Sequence, residues 1–270
     1  MTLNIALLVL LSAALHPIWN ALIKRDARPE GAFIGLIVML IVISGSHALI
    51  AGYDLFSVRR VWTMLILSCI GQILYGYTLI ATLKRGDLSA YYPIIRSSPL
   101  FIVIVGFFLL GETYSWPLLT GVACVLMGAF LLQYRRGLRL LDDPKTLMLS
   151  VLAMSGVGVY SIADAKIMQE IEPPVLFFWV ETLCLPSYIL IYRFFGHSPL
   201  GMAALFAWTR QPAKFFGIGA ICYLSYILIL MAYAQGGDVA AVTSVRQASI
   251  PISVLIGGLW LKELGMAQRL

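Results

Sequence analysis

The chain has 270 residues and a formal net charge of +6, and 60% of its residues are hydrophobic while only 12% are charged. Soluble domains carry about 25% charged residues, so this composition excludes a water-soluble fold. The basic residues are scattered through short polar segments, which excludes a nucleic-acid-binding face.

Nine apolar runs follow one another, each close to the roughly 20 residues that a helix needs to cross a bilayer. They cover residues 3–23, 32–51, 62–83, 88–110, 116–132, 146–168, 174–192, 215–234 and 239–261. The predicted fold class is therefore all-α and integral to a membrane, with no soluble domain. Lys24 and Arg25 follow the first run rather than precede it, so we interpret that run as a retained helix and not as a cleaved signal peptide.

An internal repeat relates residues 70–112 to residues 221–263 at an offset of 151. Twelve of the 43 aligned residues are identical, and both copies contain a Gly-Asp turn, at Gly86-Asp87 and Gly237-Asp238. Two like halves that enclose one central site are typical of transporters, so the repeat indicates a transporter.

The repeat also predicts the domain organisation. We assign residues 1–134 to a first five-helix repeat, 135–145 to a linker loop and 146–270 to a second repeat. Because five is odd, the two copies enter the bilayer from opposite sides and form inverted repeats. The counterpart of the run at 116–132 would begin at residue 267, so we expect a ten-helix bundle whose last helix is absent or truncated in this chain.

The distribution of positive charge predicts an orientation. Apart from Arg96 and Arg246, the chain has 17 Lys and Arg residues, and 14 of them lie on one side if the N-terminus is outside the cell. Cytoplasmic loops carry an excess of positive charge, so this bias favours an outside N-terminus.

Several motifs carry a family resemblance. They are the Gly86-Asp87 turn, the following Pro93, Arg96 and Pro99, the close at Leu109-Leu110-Gly111-Glu112, and the first-helix segment from Ala14 to Lys24. This pattern resembles the EamA-type transporters of the drug/metabolite transporter (DMT) superfamily. The resemblance implies ten helices, a central substrate cavity and alternating access by the two halves. It also implies that both termini are cytoplasmic, which conflicts with the charge distribution, and the second copy departs from the motif at Lys262-Glu263.

Polar residues inside the apolar runs are the candidate site, since an ionisable group at membrane depth costs at least about 2.5–3.5 kcal/mol and usually faces a cavity or a partner. The predicted substrate-binding residues are His16, Asn20, Tyr91, Tyr92, Arg96, Arg246 and Gln247. Arginine binds carboxylate or phosphate bidentately, and prolines beside both arginines predict bent helices that line a cavity. His16 and Asn20 are four residues apart and share a helix face, although a membrane histidine is more often a hydrogen-bonded structural residue.

Two acids offer an alternative role for the arginines. Asp164 and Glu181 lie in the sixth and seventh runs and match Arg96 and Arg246 in number, so the four side chains are expected to form two ion pairs if the arginines are structural. Glu181 lies near the middle of its run, where burial disfavours the charged form, so it is also a candidate proton-coupling group.

Two further sets of residues are predicted to have packing roles. Gln72, Tyr75 and Tyr226 are expected to make hydrogen bonds between helices. Gly121 and Gly128, seven residues apart, are expected to allow another helix to pack closely against the fifth run.

The function predicted is a secondary transporter of a small organic metabolite that is amino-acid-like, anionic or amphipathic, and the resemblance favours an exporter in a bacterial inner membrane. No phosphate-binding GxxxxGK[ST] loop occurs, so a proton or counter-solute gradient must supply the energy. The expected partners are the substrate, the bilayer and the coupling solute, with no cofactor, metal or nucleic acid. Two alternatives remain. An intramembrane lipid-modifying enzyme would need a catalytic cluster that the sequence does not show, and a passive channel would not need two inverted halves.

Overall fold

The structure of the protein, a computed structural model, is a bundle of helices. The structure describes residues 1–24, 26, 29–85, 91, 94–133, 143–195 and 205–252. Within these ranges there is no strand, so the all-α prediction is confirmed for the described part of the chain. Six of the described helices are long and apolar enough to cross a membrane, judged by length and composition.

The helices closely follow the predicted runs. In chain order they are α1 (Leu3–Lys24), α2 (Pro29–Ile50), α3 (Trp62–Arg85), α4 (Ser98–Leu109), α5 (Trp116–Gln133), α6 (Pro144–Ile167), α7 (Pro173–Phe195), α8 (Pro212–Ala234) and α9 (Val239–Arg246). Short 3-10 turns at Leu55–Arg60 and Ala207–Arg210 precede α3 and α8. Helices α4 and α9 are shorter than the runs at 88–110 and 239–261, which lie partly outside the described residues.

The outer surface of the bundle is apolar. Leu3, Ile50 and Trp116 have 76%, 87% and 81% of their surface exposed. A soluble monomer rarely leaves large apolar side chains this open over a wide area. This exterior fits the hydrocarbon of a bilayer.

Specific contacts fix the relative directions of the helices that carry the core. Ser68 of α3 bonds Asp164 of α6, and Arg85 bonds Thr146, so α3 and α6 run antiparallel. In the same way the pairs Asn4–Gln235 and Ser12–Ser225 make α1 and α8 antiparallel. Each of these two interfaces joins a helix of the first half to a helix of the second.

Helices α2 and α7 complete this arrangement. Contacts of Gly219 with Met39 and of Tyr223 with His47 make α2 parallel to α8, and contacts of Cys69 with Cys184 and of Gly76 with Tyr188 make α3 parallel to α7. The contacts Gly45–Phe178 and Phe33–Tyr188 make α2 and α7 antiparallel. It follows that α1, α3 and α7 point one way while α2, α6 and α8 point the other way.

Two glycines bring the backbones of α3 and α6 into close contact. A Cβ on Gly71 would lie 2.8 Å from the backbone nitrogen of Tyr160, and a Cβ on Gly156 would lie 2.7 Å from the carbonyl oxygen of Gly71. The backbones touch here because neither residue has a side chain.

No packing partner for Gly121 and Gly128 is found within the described part of the chain. No atom of the described chain lies within 4 Å of a Cβ built on either residue. Glycine spacing permits close packing but does not show that a partner helix is present, and the partner sought on α5 is instead found on α3 and α6.

Candidate functional site

Two helices of the bundle are interrupted at equivalent positions of the repeat. A turn at Arg96 and Ser97 precedes α4, which begins at Ser98, and a turn at Gln247 and Ala248 follows α9, after which helix resumes at Ser249. The offset of 151 maps each break onto the other. The same bond closes both turns, because Ser97 N donates to Ile94 O and Ala248 N donates to Val245 O, each at 3.0 Å.

These breaks refine the prediction of bent helices. Arg96 lies at an interruption of the fourth segment rather than inside a continuous helix, and Arg246 is the last residue of α9. An interrupted helix leaves backbone N–H and C=O groups without their usual partners, and these groups serve ligands when they lie within a bundle.

Arg246 lies against an aromatic wall. Its Cζ is 4.6 Å from the ring centroid of Tyr226 on α8, and the Tyr226 ring stacks on Phe177 of α7 at 5.6 Å. A guanidinium over an aromatic face is held by the ring quadrupole, and this attraction grows when water is excluded. Tyr160 of α6 and Tyr233 of α8 are also within electrostatic range of the guanidinium.

His16 on α1 also lies near Tyr226. Asn20 Nδ2 donates to His16 Nε2 at 3.1 Å, as their spacing predicted. An amide nitrogen donates only, so His16 Nε2 accepts and the ring proton must be on Nδ1. The ring meets Trp19 edge-on at 5.0 Å and Tyr226 at 6.2 Å.

Several buried polar atoms at this place have no hydrogen-bond partner in the described structure. They are His16 Nδ1, Trp19 Nε1, Arg246 Nε and Gln247 Oε1. Since the first three are N–H groups, three donors and one acceptor lie on α1 and at the end of α9, two helices that pack against each other. Buried polar groups are normally satisfied, so such a set indicates a missing polar ligand. We call His16, Trp19, Tyr226, Arg246 and Gln247 the central cluster.

The acids lie apart from the guanidinium of Arg246. Asp164 is buried on α6 and accepts a hydrogen bond from Ser68 Oγ at 2.5 Å. Glu181 is buried on α7 and accepts no hydrogen bond from the described residues. Within the described ranges neither acid comes within 4 Å of Arg246, so the alternative of ion pairs is not realised for this arginine.

The remaining predicted residues are placed as follows. Tyr91 is buried, Arg96 is partly buried with its charge acting on His16, and Gln247 is buried with Nε2 donating to Thr243 O at 3.2 Å. Tyr92 lies outside the described residues.

Sequence reasoning undervalued the aromatic part of the site. Tyr226 was expected to make a hydrogen bond between helices, and it does so with Arg246 of α9. Its ring in addition faces Arg246 and Phe177, which the sequence did not indicate. Trp19 was only a neighbour of His16 in the motif. The repeat was an available sequence signal, because Tyr75 and Tyr226 are identical at equivalent positions. In the structure, Tyr75 also contacts an aromatic ring, that of Tyr160 at 6.5 Å.

A cavity of about 540 Å³ opens at the end of the bundle where α4 and α6 finish and α9 starts. Its charged lining residues are Glu112, Lys166 and Asp238. Gly111, at φ +68°, lets the chain turn back, so that Glu112 N donates to Gly106 O at 2.9 Å. The Gly-Glu close of the motif therefore shapes the rim of this cavity.

Tyr114 packs over the same rim. Its hydroxyl donates to Glu112 Oε2 at 2.7 Å. Burial and the neighbouring Glu112 carboxylate raise the pKa of Tyr114 above its usual value. The cavity lies between α4 of the first half and α6 and α9 of the second, so it offers an approach between the halves.

Comparison with known proteins gives two matches. Residues 3–134 match the EamA-like transporter family, and this range ends where the first predicted repeat ends. A protein of known crystal structure shares the fold with a TM-score of 0.70 at 17% identity, over 98% of this chain and 91% of that chain. At this identity the likeness shows the fold alone. No curated protein matches the sequence significantly.

Proposed function

Through residues 3–134 the chain belongs to the EamA-like transporter family, and we propose that it is a secondary transporter that moves a small organic carboxylate across the membrane by alternating access. The family match and the apolar helices make it an integral, multi-pass membrane protein of the DMT superfamily. Proteins of the EamA family are transporters rather than enzymes.

The observation that carries the proposal is the unpartnered set of donors in the central cluster. His16 Nδ1, Trp19 Nε1 and Arg246 Nε are buried N–H groups with no acceptor in the described structure. Carboxylate oxygens accept several hydrogen bonds each and match a guanidinium in charge and shape. A bound carboxylate would therefore satisfy atoms that the protein itself leaves unsatisfied.

The aromatic wall supports an amphipathic body for this carboxylate. Tyr226 and Phe177 present a stacked pair beside the donors, and Trp19 closes the α1 side. Ligand sites are commonly apolar with a few placed polar groups. Aromatic acids and aromatic amino acids both have this chemistry.

The packing of the helices supports alternating access by inverted repeats. Helices α1, α2 and α3 run in the opposite directions to their counterparts α6, α7 and α8, and the interfaces α3–α6 and α1–α8 exchange when the halves are exchanged. The repeats proposed are residues 1–134 and 146–270 joined by a linker at 135–145. Rocking of one repeat against the other about a fixed central site is the usual mechanism of such proteins.

The remaining parts of the proposal concern energy and direction. A proton or a counter-solute drives the flux, and export across a bacterial inner membrane is the proposed direction. The export direction rests on the family resemblance.

The test is a thermal-shift screen of the full-length protein in detergent. The probes are benzoate, aromatic and aliphatic amino acids, sugar phosphates, nucleosides and polyamines. A ligand at ten times its Kd stabilises the native state by about 1.4 kcal/mol. We expect carboxylates to raise the unfolding temperature.

The matched variants are Arg246→Gln and Arg210→Gln. Arg210 is an exposed arginine in the 3-10 turn before α8, so its loss leaves the central cluster intact. Stabilisation by carboxylates should vanish in Arg246→Gln and persist in Arg210→Gln. Equal stabilisation of both variants, or stabilisation by polyamines alone, would contradict a carboxylate site at Arg246.

A further inference from the structure

Two ion pairs of the described structure join the halves at one end of the bundle. Lys214 Nζ lies 2.7 Å from Asp26 Oδ2, and Arg85 Nη2 lies 3.7 Å from Asp143 Oδ1. Asp26 follows α1, and Arg85 is the last residue of α3, so both belong to the first half. Lys214 lies in the first turn of α8, and Asp143 caps the start of α6. Each pair therefore connects a helix end of the first half with a helix start of the second half.

The side chain of Arg85 makes a second contact with α6. Its Nε donates to Thr146 Oγ1 at 3.2 Å, and Thr146 Oγ1 donates to Asp143 Oδ2 at 2.5 Å. Thr146 is fully buried in the first turn of α6. The guanidinium is therefore held by a hydroxyl of this turn and by the charge of its cap. Separation of α3 from α6 at this end must break both contacts.

The ion pairs and the cavity lie at opposite ends of the bundle. The cavity opens where α6 finishes and α9 starts, and we call this the cavity end. The ion pairs lie where α1 and α3 finish and α6 and α8 start, and we call this the far end. The halves are thus held together by charge at the far end, while a cavity separates them at the cavity end. A protein that opens to one side at a time needs such a difference between its ends.

The contact that corresponds to the Arg85 pair at the cavity end is uncharged. Exchange of the halves places the end of α3 and the start of α6 on the end of α8 and the start of α1. There Asn4 Nδ2 donates to Gln235 Oε1 at 2.6 Å. The offset of 151 maps Arg85 onto Gly236, the residue after Gln235. Dissolved salt screens a pair of charges but not a bond between two neutral amides, so ionic strength weakens the contacts of the far end selectively.

The exposure of the paired side chains limits the strength of both pairs. Between 20% and 41% of each charged side chain is open to solvent. Ion pairs that water reaches change an equilibrium by up to about fivefold each, so two independent pairs change it by up to about thirtyfold. Contacts of this strength favour one state and still break during a transport cycle.

We propose that the Asp26–Lys214 and Arg85–Asp143 pairs form an ionic latch, which favours the state closed at the far end and breaks when the cavity end closes. The proposal rests on the alternating access of the proposed function, and it adds the residues that set the balance between the two states. Neither pair includes a residue of the central cluster. Loss of the latch should therefore shift the balance of states even when no substrate is present.

The experiment measures the accessibility of one thiol towards each end of α6, in the full-length protein in detergent and without substrate. Ser150→Cys reports on the far end, because Ser150 is fully buried and lies one turn from Thr146 on the same helix face. Ile162→Cys reports on the cavity end, because Ile162 lines the cavity. Reaction with a water-soluble methanethiosulfonate reagent is followed by mass spectrometry of the peptide that contains the new thiol, which separates it from the native cysteines. A buried thiol reacts in proportion to the population of the state that exposes it.

The latch is removed by Asp26→Asn together with Asp143→Asn. Asparagine caps a helix as well as aspartate does, so the second substitution removes the charge and keeps the cap. We expect the reaction of Ser150→Cys to become faster by up to about thirtyfold and that of Ile162→Cys to become slower. The matched control is Asp54→Asn, because Asp54 caps the 3-10 turn before α3 and makes no ion pair in the described structure. This control should leave both rates unchanged.

Exchange of the charges separates the ion pair from any other contact of its residues. Asp26→Lys alone places two positive charges at this pair and should make Ser150→Cys react faster. Addition of Lys214→Asp restores opposite charges and should return the rate towards its original value. If the second substitution does not reverse the effect of the first, this pair is not part of a latch.

Ionic strength tests the latch without any change to its residues. An increase from about 0.01 M to about 1 M salt shortens the Debye length from about 30 Å to about 3 Å. We expect this increase to make Ser150→Cys react faster and Ile162→Cys react more slowly. Both effects should be smaller once the latch is removed. The salt series therefore decides the question if the latch variants fail to fold.

Two results would overturn the latch. In the first, Ser150→Cys reacts at the same rate with the latch removed and in high salt. In the second, both thiols react faster, which indicates general loosening of the bundle rather than an exchange between two states. The carboxylate site is tested separately, because benzoate is absent from this experiment. If the two thiols respond in opposite directions but no carboxylate binds the wild-type protein, the proposed substrate is wrong and the latch is supported.

Discussion

Gly156→Ala is the sharpest structural perturbation that the chain offers, because it acts where α6 of one half touches α3 of the other. The new Cβ would lie 2.7 Å from the carbonyl oxygen of Gly71 and 2.8 Å from the backbone nitrogen of Tyr75. Ordinary contact begins at 3.4 Å, so the shorter distance falls 0.7 Å below it. Both opposing atoms belong to backbone and cannot rotate away, so the two helices must separate.

The magnitude follows from comparison with a second glycine. Gly217→Ala on α8 places its Cβ where no described atom lies within 4 Å. Both substitutions gain the same helix propensity, about 1 kcal/mol, so their difference isolates the clash. Overpacking costs about 1–3 kcal/mol, and Gly156→Ala should be less stable than Gly217→Ala by that amount.

The assay is thermal and denaturant unfolding of both variants in the same detergent, followed by circular dichroism and intrinsic fluorescence. Gly217→Ala should unfold at or above the wild-type temperature and Gly156→Ala clearly below it. Equal stability of the two variants would refute the close α3–α6 contact and, with it, the antiparallel packing of the two halves at this place.

Three further predictions concern the ends of helices. Asp238 caps α9 by accepting a hydrogen bond from the Ala241 backbone, so Asp238→Ala should lower the free energy of unfolding by about 1 kcal/mol, and unchanged denaturant midpoints would contradict the cap. Gly111 has φ +68°, so Gly111→Ala should cost about 1–2 kcal/mol through left-handed backbone strain. Gly121→Ala, in the open interior of α5, should instead gain about 1 kcal/mol of helix propensity, and equal unfolding temperatures for this pair would contradict the turn. Hydrogen bonds from Thr146 hold the pKa of Asp143 below its usual value. This stabilisation is present above the unfolded-state pKa and is lost as pH falls through the lower folded-state pKa. The loss of stability on acidification should therefore be smaller in Asp143→Ala, and an identical acid profile of the variant and the wild-type protein would contradict the contribution.

The positions of the six long described helices were predictable from the sequence because hydropathy reports membrane spans directly. The run at 62–83 became α3 at Trp62–Arg85, and the run at 215–234 became α8 at Pro212–Ala234. A helix that crosses the bilayer satisfies its backbone groups internally and needs about 20 apolar residues. It therefore appears in the sequence as a continuous apolar run.

The interruptions in the fourth and ninth runs were not predictable from hydropathy. The residues on both sides of Arg96 and Gln247 are apolar, so the runs look continuous. Proline placement indicated a bend, but the position of the break depends on hydrogen bonds such as the one from Ser97 N to Ile94 O. The repeat would have predicted the second break once the first was known.

The candidate site was predictable only in part. The contact between His16 and Asn20 follows from helix geometry at a spacing of four. The contact between Arg246 and Tyr226 depends on how α9 packs on α8, which local sequence does not encode. For the same reason the sequence did not distinguish substrate binding from ion pairing as the role of the arginines. The numbers of buried acids and arginines agree in the sequence, but the distances between them are unknown there.

The most direct test of the account is counterflow of labelled benzoate into proteoliposomes loaded with unlabelled benzoate. The account predicts saturable accumulation of label by the wild-type protein and by Arg210→Gln, and none by Arg246→Gln. A linear, non-saturable leak, or equal counterflow by Arg246→Gln, would contradict a transporter whose central cluster binds the substrate carboxylate.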